Sequence, residues 1–301
     1  ENKHTSFKRC VAIGKAASAM LQGAIDSNSS INNALLICKK GQVSRPLCKN
    51  KKIIVVESSH PVPDQSSLDA GKSLLRFLAI IPKGEKLLIL ISGGASSLVE
   101  VLPSHLTLDD LQEINYYLLA SGKNIHTMNA WRKRISQIKG GGLLRVVNAD
   151  DCTQLLISDV QGDDPSIIGS GLLVTSGTDE VDEDTWLHER CAGFKGDIST
   201  HAAIVPHIIA TLDMAKQAIK EEAEYLQLDG YLHDEFISGD AAEQGKAISQ
   251  WLCEAPAGVH IWGGETTVQL PENPGLGGRN QTLALAMSAA LENRDICVMC
   301  A

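Results

Sequence analysis

Short apolar runs recur along this chain with room for a helix between each and the next: Val11-Ala12-Ile13, Ala34-Leu35-Leu36-Ile37, Ile53-Ile54-Val55-Val56, Leu87 to Ile91 and Leu155-Leu156-Ile157. Several are apolar without alternation, which is the pattern of strands buried on both faces. Such strands need helices on either side, so the expected class is α/β with a largely parallel sheet. Helical periodicity follows Gly14 and extends over Gln65–Leu78, Thr107–Leu119 and His207–Leu226, with Thr107 and Asp110 spaced as an N-terminal cap. The acidic stretch from Gly169 to Gly196 has little aliphatic period and reads as a surface excursion or linker. A domain boundary near residue 200 follows.

Composition narrows the partners. The 301 residues carry a formal net charge of -9 and show no sustained basic stripe with interleaved aromatics, so nucleic acid is not the expected partner. No window approaches the ~18 apolar residues of a membrane span, and the polar start from Glu1 to Arg9 lacks an apolar leader core; the expectation is a cytoplasmic protein without membrane association. The eight cysteines stand singly in apolar runs, as at Cys10, Cys38 and Cys152, where a buried thiol acts as a small hydrophobe. Cys297 and Cys300 have C-x-x-C spacing, but no second pair stands at zinc-site distance, and they read as buried strand cysteines; His260 reads as a strand or edge residue.

Anions must therefore be caught locally, and several strand ends are built for it. Gly14 and Lys15 follow the first run and open a small-residue helix, which sets an ammonium beside a helix start; a solvated surface lysine is the alternative, and G-x-x-x-x-G-K-[ST] is absent. Ser92, Gly93, Gly94, Ser96 and Ser97 follow the fourth run, where paired glycines and hydroxyls can form an anion-binding concavity, against the alternative of a plain strand-to-helix turn. His60 to Asp64 reads H-P-V-P-D, a stiff loop that presents His60 and Asp64, although Asp64 also suits the cap of the next helix.

Three further stretches carry chemistry. Ser121 to Leu143 is the most basic segment; such a run is usually a solvated helix face, but Arg132 and Lys139 stand two helical turns apart and could share one face. Ser158 to Asp164 reads S-D-V-Q-G-D-D, and Asp159 and Asp163 are hard oxygen ligands suited to Mg²⁺, unless the segment is only an Asp-rich turn. Trp262 to Val268 and Gly275 to Gln281 bring Glu265, poised for metal or a substrate hydroxyl, and Arg279 at a helix start, able to stabilise a transferring phosphoryl group. Gly263, Gly264, Thr266 and Asn280 accompany them as binding candidates, with a β-hairpin and ordinary glycine turns as the alternative.

Taken in order, G-K-A at Gly14, H-P-V-P-D at His60, I-S-G-G at Ile91, N-x-x-R-K at Asn129, K-G-G at Lys139, S-D-V at Ser158, G-G-E-T-T-V at Gly263 and G-G-R-N-Q at Gly277 resemble the glycerate 2-kinase family with its C-terminal MOFRL domain. The resemblance implies a Rossmann-like large domain over residues 1–200 and a smaller α/β, MOFRL-like domain over 201–301, expected to be incomplete at its C-terminal end. It implies ATP and Mg²⁺ as cofactors, D-glycerate as the small-molecule substrate, and phosphoryl transfer to 2-phosphoglycerate in an interdomain cleft. By the same resemblance Lys15, Arg279, Asp159 and Glu265 are the catalytic candidates, and a homo-oligomer is left open. The sequence departs from the family at Ala95, Gln161, Arg134 and Thr282; a positive φ at position 95 would suit glycine and not Ala95. A non-catalytic binding relative and a hydroxypyruvate reductase stand as alternatives, the latter without a G-x-G-x-x-G after a strand.

Overall fold

A computed structural model of the chain describes residues 6–27, 30–123, 125–147, 151–175, 181–191, 204–269 and 275–300. The elements run β1 (Arg9–Ile13), α1 (Ala17–Ser27), β2 (Asn33–Lys39), α2 (Arg45–Lys49), β3 (Ile53–Ser58), α3 (Gln65–Ala79), β4 (Leu87–Ile91), α4 (Ala95–Leu98), α5 (Leu108–Ala120), α6 (Ile125–Arg134), β5 (Cys152–Ile157), α7 (Thr185–Arg190), β6 (Pro206–Ala210), α8 (Leu212–Tyr225), β7 (Gly230–Asp240), α9 (Ala241–Leu252), β8 (Val259–Thr267) and α10 (Arg279–Ala290). They divide into two compact units, Glu1–Ala210 and Thr211–Ala301.

The first unit is built on a six-stranded sheet in the order β3-β2-β1-β4-β5-β6, with every neighbouring pair parallel. The absence of alternation in its strands has a direct cause. Val11, Ile13, Leu35, Ile37, Ile89 and Ile91 face one apolar layer with Leu74 and Phe77 of α3 and Leu98 of α4. Cys10, Ala12, Leu36, Cys38, Leu88 and Leu90 face the other with Ala17 and Leu21 of α1 and Leu47 of α2. Both faces being covered, each fully buried Val, Leu, Ile or Phe among them contributes about 1.5–3 kcal/mol. A third apolar cluster joins α5, α6 and α7 through Leu111, Ile114, Leu118, Trp131 and Leu187. The burial of Cys10 pushes its thiol up to about 12, and burial first, with Glu57 second, pushes Cys38 to about 11.

The structure corrects two expectations, a helix from His207 and a strand around Cys297 and Cys300, and removes one alternative, the β-hairpin at Trp262. Residues 207–210 are not the start of a helix: Pro206–Ala210 is the edge strand β6, which ladders onto β5 with a register shift at Ile209, and Thr211 then caps α8 through Met214. The first unit therefore extends through Ala210, while the expected boundary near residue 200 falls among residues 192–203, outside the described residues. Trp262–Val268 belongs to no hairpin, because β8 runs parallel to β7 in a two-stranded sheet of the second unit. Residues 296–300 form no strand, since no described strand offers them a ladder, and Cys297 is exposed while Cys300 is half-buried. Thr107 does cap α5 in a reciprocal box with Asp110.

Ile89 is fully buried at the middle of β4, between β1 and β5. Ile89→Ala should lower the stability of the first unit by about 2–5 kcal/mol in chemical denaturation. An unchanged denaturation midpoint would contradict this packing.

Candidate functional site

Strand order reverses between β1 and β4, and in an open parallel sheet the crevice outside the carboxyl ends at that point is where ligands bind. Here the two strand ends are locked together. The Gly14 amide donates to the Ile37 carbonyl (3.1 Å), Ser92 to Ile13 (3.0 Å) and Lys15 to Gly93 (2.9 Å), while the Ser92 hydroxyl accepts from the Ala16 amide (3.0 Å). Gly14 has φ +132°, and a Cβ there would stand 2.2 Å from Ser92 Oγ, so both the conformation and the approach require glycine.

On this frame three chemically able side chains meet at the Gly93–Gly94 dipeptide. A Cβ on Gly93 would fall 1.7 Å from Asp159 Oδ2, beyond the end of β5. A Cβ on Gly94 would stand 2.9 Å from His60 Cδ2 and 3.0 Å from both His60 Nε2 and Lys15 Cε. Lys15 Nζ and Asp159 Oδ2 are 4.0 Å apart, both partly open to solvent. The positive φ of this loop is at Gly94 (+80°), which caps α4, while Ala95 is the first residue of the helix. The substitution at position 95 therefore costs no strained conformation. Ser97 donates to the Gly94 carbonyl (3.2 Å), and Ser96 is half-buried within α4.

Other candidates have structural duties. Asp64 caps α3, accepting from the Ser66 amide (2.8 Å) and from the hydroxyls of Ser59 and Ser66. Those two hydroxyls, Ser59 first, hold its carboxyl well below the usual range. The His60–Pro61 bond preceding it is cis. Lys139 does not share a helix face with Arg132, because α6 ends at Arg134. It is buried in an ion pair with the fully buried Glu100, which also accepts from Ser136 Oγ. Arg132 is half-buried and donates to Asn115 Oδ1 (3.1 Å) and Asn129 Oδ1 (3.4 Å), and burial lowers its pKa without removing its charge. Asp163 occupies a turn at φ 52°, its amide donating to the Val160 carbonyl (3.4 Å).

In the second unit, Arg279 opens α10 and pairs with Glu265 of β8, both about half exposed. Gly263 and Gly264 serve packing: a Cβ would stand 2.4 Å from Leu212 Cδ2 and 2.1 Å from the Ile237 carbonyl oxygen respectively. Thr266 is buried, and its hydroxyl has no hydrogen-bond partner among the described residues. Asn280 is exposed in the first turn of α10. Among the described residues no group of three or more His, Cys, Asp or Glu side chains could by itself hold a metal ion. What sequence reading missed is Glu100, whose signal was slight: a lone carboxylate after an apolar turn.

These features define an α/β protein whose sheet switch point carries a cation, a carboxylate and an imidazole around a glycine pair. Residues 2–191 match the family described as "Domain of unknown function (DUF4147)", and residues 258–301 match the MOFRL family. The chain is 31% identical to a glycerate 2-kinase of Pyrococcus horikoshii, over 96% of this chain and 70% of that protein. It is equally 31% identical to a putative hydroxypyruvate reductase of Agrobacterium vitis, over 94% of this chain and 79% of the other. The crystal structure of a glycerate kinase from Thermotoga maritima superposes with a TM-score of 0.75 at 27% identity, covering 97% of this chain and 74% of that one. The chain belongs to the glycerate 2-kinase family.

Two substitutions separate scaffold from site. Lys139→Met leaves the Glu100 carboxylate buried without its cation and should cost about 3–5 kcal/mol of stability in denaturant titration; a ligand-binding lysine would leave the midpoint unchanged. Asp64→Ala should cost about 1 kcal/mol as a lost helix cap. Because the folded carboxyl lies below its unfolded value, that contribution is full above pH ~4 and fades as pH falls below it. Wild type and Asp64→Ala should therefore converge in stability in acid, and a constant gap down to the lowest accessible pH would contradict the cap.

Proposed function

We propose that this protein transfers the γ-phosphoryl group of ATP to D-glycerate, giving 2-phosphoglycerate. The observation that carries the reading is the meeting of Lys15, Asp159 and His60 on Gly93–Gly94 at the switch point of a glycerate kinase family sheet. Phosphoryl transfer asks the protein for positioning and for charge that stabilises a loose, anionic transition state. Lys15 supplies a cation and the glycine pair lets phosphate oxygens approach the backbone closely. Mg²⁺ is commonly held by one or two carboxylates together with substrate phosphates, and Asp159, a partly exposed carboxylate at a strand end, fits that demand. When bound, the ion supplies neutralising charge to the triphosphate. The reading assigns Arg279 and Glu265 of the second unit to the same reaction, with the guanidinium oriented by its carboxylate partner.

A reductase reading draws on the name of the Agrobacterium vitis relative and on a strand order shared with dinucleotide-binding sheets. The turn after β1 speaks against it: counted from Gly14, Ala16 stands where the fingerprint has the second glycine, the one that lets the backbone approach a pyrophosphate. Incubation with ATP, Mg²⁺ and D-glycerate should yield phosphoglycerate, and NADH absorbance with hydroxypyruvate should not change; the reverse pattern would replace the kinase reading with the reductase.

Arg279→Ala should lower kcat by about 10²-fold or more while ATP affinity changes little, as expected when a group acts mainly in the transition state. Arg279→Lys should restore only part of the rate, since a point charge does not reproduce the planar fork. Wild-type turnover in Arg279→Ala would leave that residue a structural partner of Glu265.

A further inference from the structure

The proposed reaction uses Lys15 for charge and Asp159 for the metal, yet transfer to a hydroxyl also releases a proton, and the third group at the glycine pair is suited to take it. His60 lies two residues beyond β3 and is half-buried. Its Cδ2–Nε2 edge is what a Cβ on Gly94 would meet, at 2.9 and 3.0 Å, and Lys15 Cε stands 3.0 Å from that same point. The imidazole edge and the lysine stem therefore flank one glycine, so a group transferred beside Lys15 passes the imidazole nitrogen. We infer that His60 is the general base of the reaction, accepting at Nε2 the proton of the hydroxyl that becomes phosphorylated; the inference rests on the glycerate kinase reading.

The acceptor O–H bond breaks as its oxygen bonds to the γ-phosphorus of the nucleoside triphosphate. The bond from that phosphorus to the bridging oxygen breaks, and the nucleoside diphosphate leaves with the electron pair. The proton passes to Nε2 of neutral imidazole, which must hold its own hydrogen on Nδ1, and the imidazolium later returns it to water.

The proposed reaction already gives Asp159 to the metal, whereas imidazole as a class changes charge between pH 5 and 8, which suits proton transfer at neutral pH. Lys15 approaches the imidazole at Gly94, Asp159 stands 4.0 Å from the Lys15 ammonium, and Lys40 pairs with Asp64 of the same loop at 3.4 Å. Asp64 on the same loop is held by Ser59 and Ser66 as a helix cap.

The test is the pH dependence of glycerate phosphorylation in the full chain and in His60→Gln, with thermal unfolding as the folding control and His60→Asn as a second variant should glutamine disturb the loop. General-base removal should cut kcat by about 10²–10⁴-fold, leave KM for D-glycerate within about threefold, and abolish the acid limb of the kcat profile. A variant that keeps that limb, or whose whole loss lies in KM, would overturn the role and leave His60 a binding residue. A folded wild type that makes no phosphoglycerate would overturn the kinase reading and the assignment with it; a wild type that turns over beside an unaltered His60→Gln would overturn the His60 assignment alone.

Discussion

The close approach of β1 and β4 past their carboxyl ends is the constraint on which the rest of the site depends. Two parallel strands ordinarily diverge where their helices begin. Here the ladder continues one step further, Ser92 to Ile13 and then Lys15 to Gly93, and the Ser92 hydroxyl satisfies the Ala16 amide ahead of α1. That continuation is possible only because Gly14 presents no Cβ to Ser92. Its consequence is that Lys15 and the Gly93–Gly94 pair hold a fixed separation, set by backbone hydrogen bonds rather than by flexible side chains. Glycine at 93 and 94 then leaves the space that Asp159 and His60 occupy.

A second constraint is electrostatic and lies below the first. Glu100 and Lys139 are both buried, which is costly for either charge alone and tolerable only for the hydrogen-bonded pair. The carboxylate also accepts from Ser136 Oγ (2.5 Å) and from the Val101 amide (2.9 Å), so the segment after α4 is tied to the segment after α6. The Arg279–Glu265 pair of the second unit is the opposite case. Both of its members are half exposed, and an exposed pair adds little stability.

Much of the first unit was legible in its apolar runs: all five became strands of the six-stranded sheet, and those without alternation, β1, β2 and β4, are the ones buried on both faces. β6 escaped because Ile208-Ile209-Ala210 abuts the helical period of α8, and so short an apolar run does not announce which element owns it. The convergence of Lys15, Asp159 and His60 was readable as three separate strand ends, but the strand order that brings them to one dipeptide is tertiary information. The ion pair of Lys139 with Glu100 was not legible, because a basic run looks alike whether its lysine faces solvent, a ligand or a buried carboxylate. At Gly263 and Gly264 the glycines marked close approach without saying that Leu212 and the Ile237 backbone are what approach.

The central claim is that the space above Gly93 is functional space, kept open for a carboxylate. Turnover of D-glycerate in Gly93→Ala and Gly23→Ala tests it most directly. Gly23 lies within α1, and a Cβ there meets nothing within 4 Å. The account predicts that Gly93→Ala, by displacing Asp159, lowers kcat/KM at least about 10²-fold while Gly23→Ala leaves it unchanged. Equal kcat/KM in Gly93→Ala and wild type would contradict it.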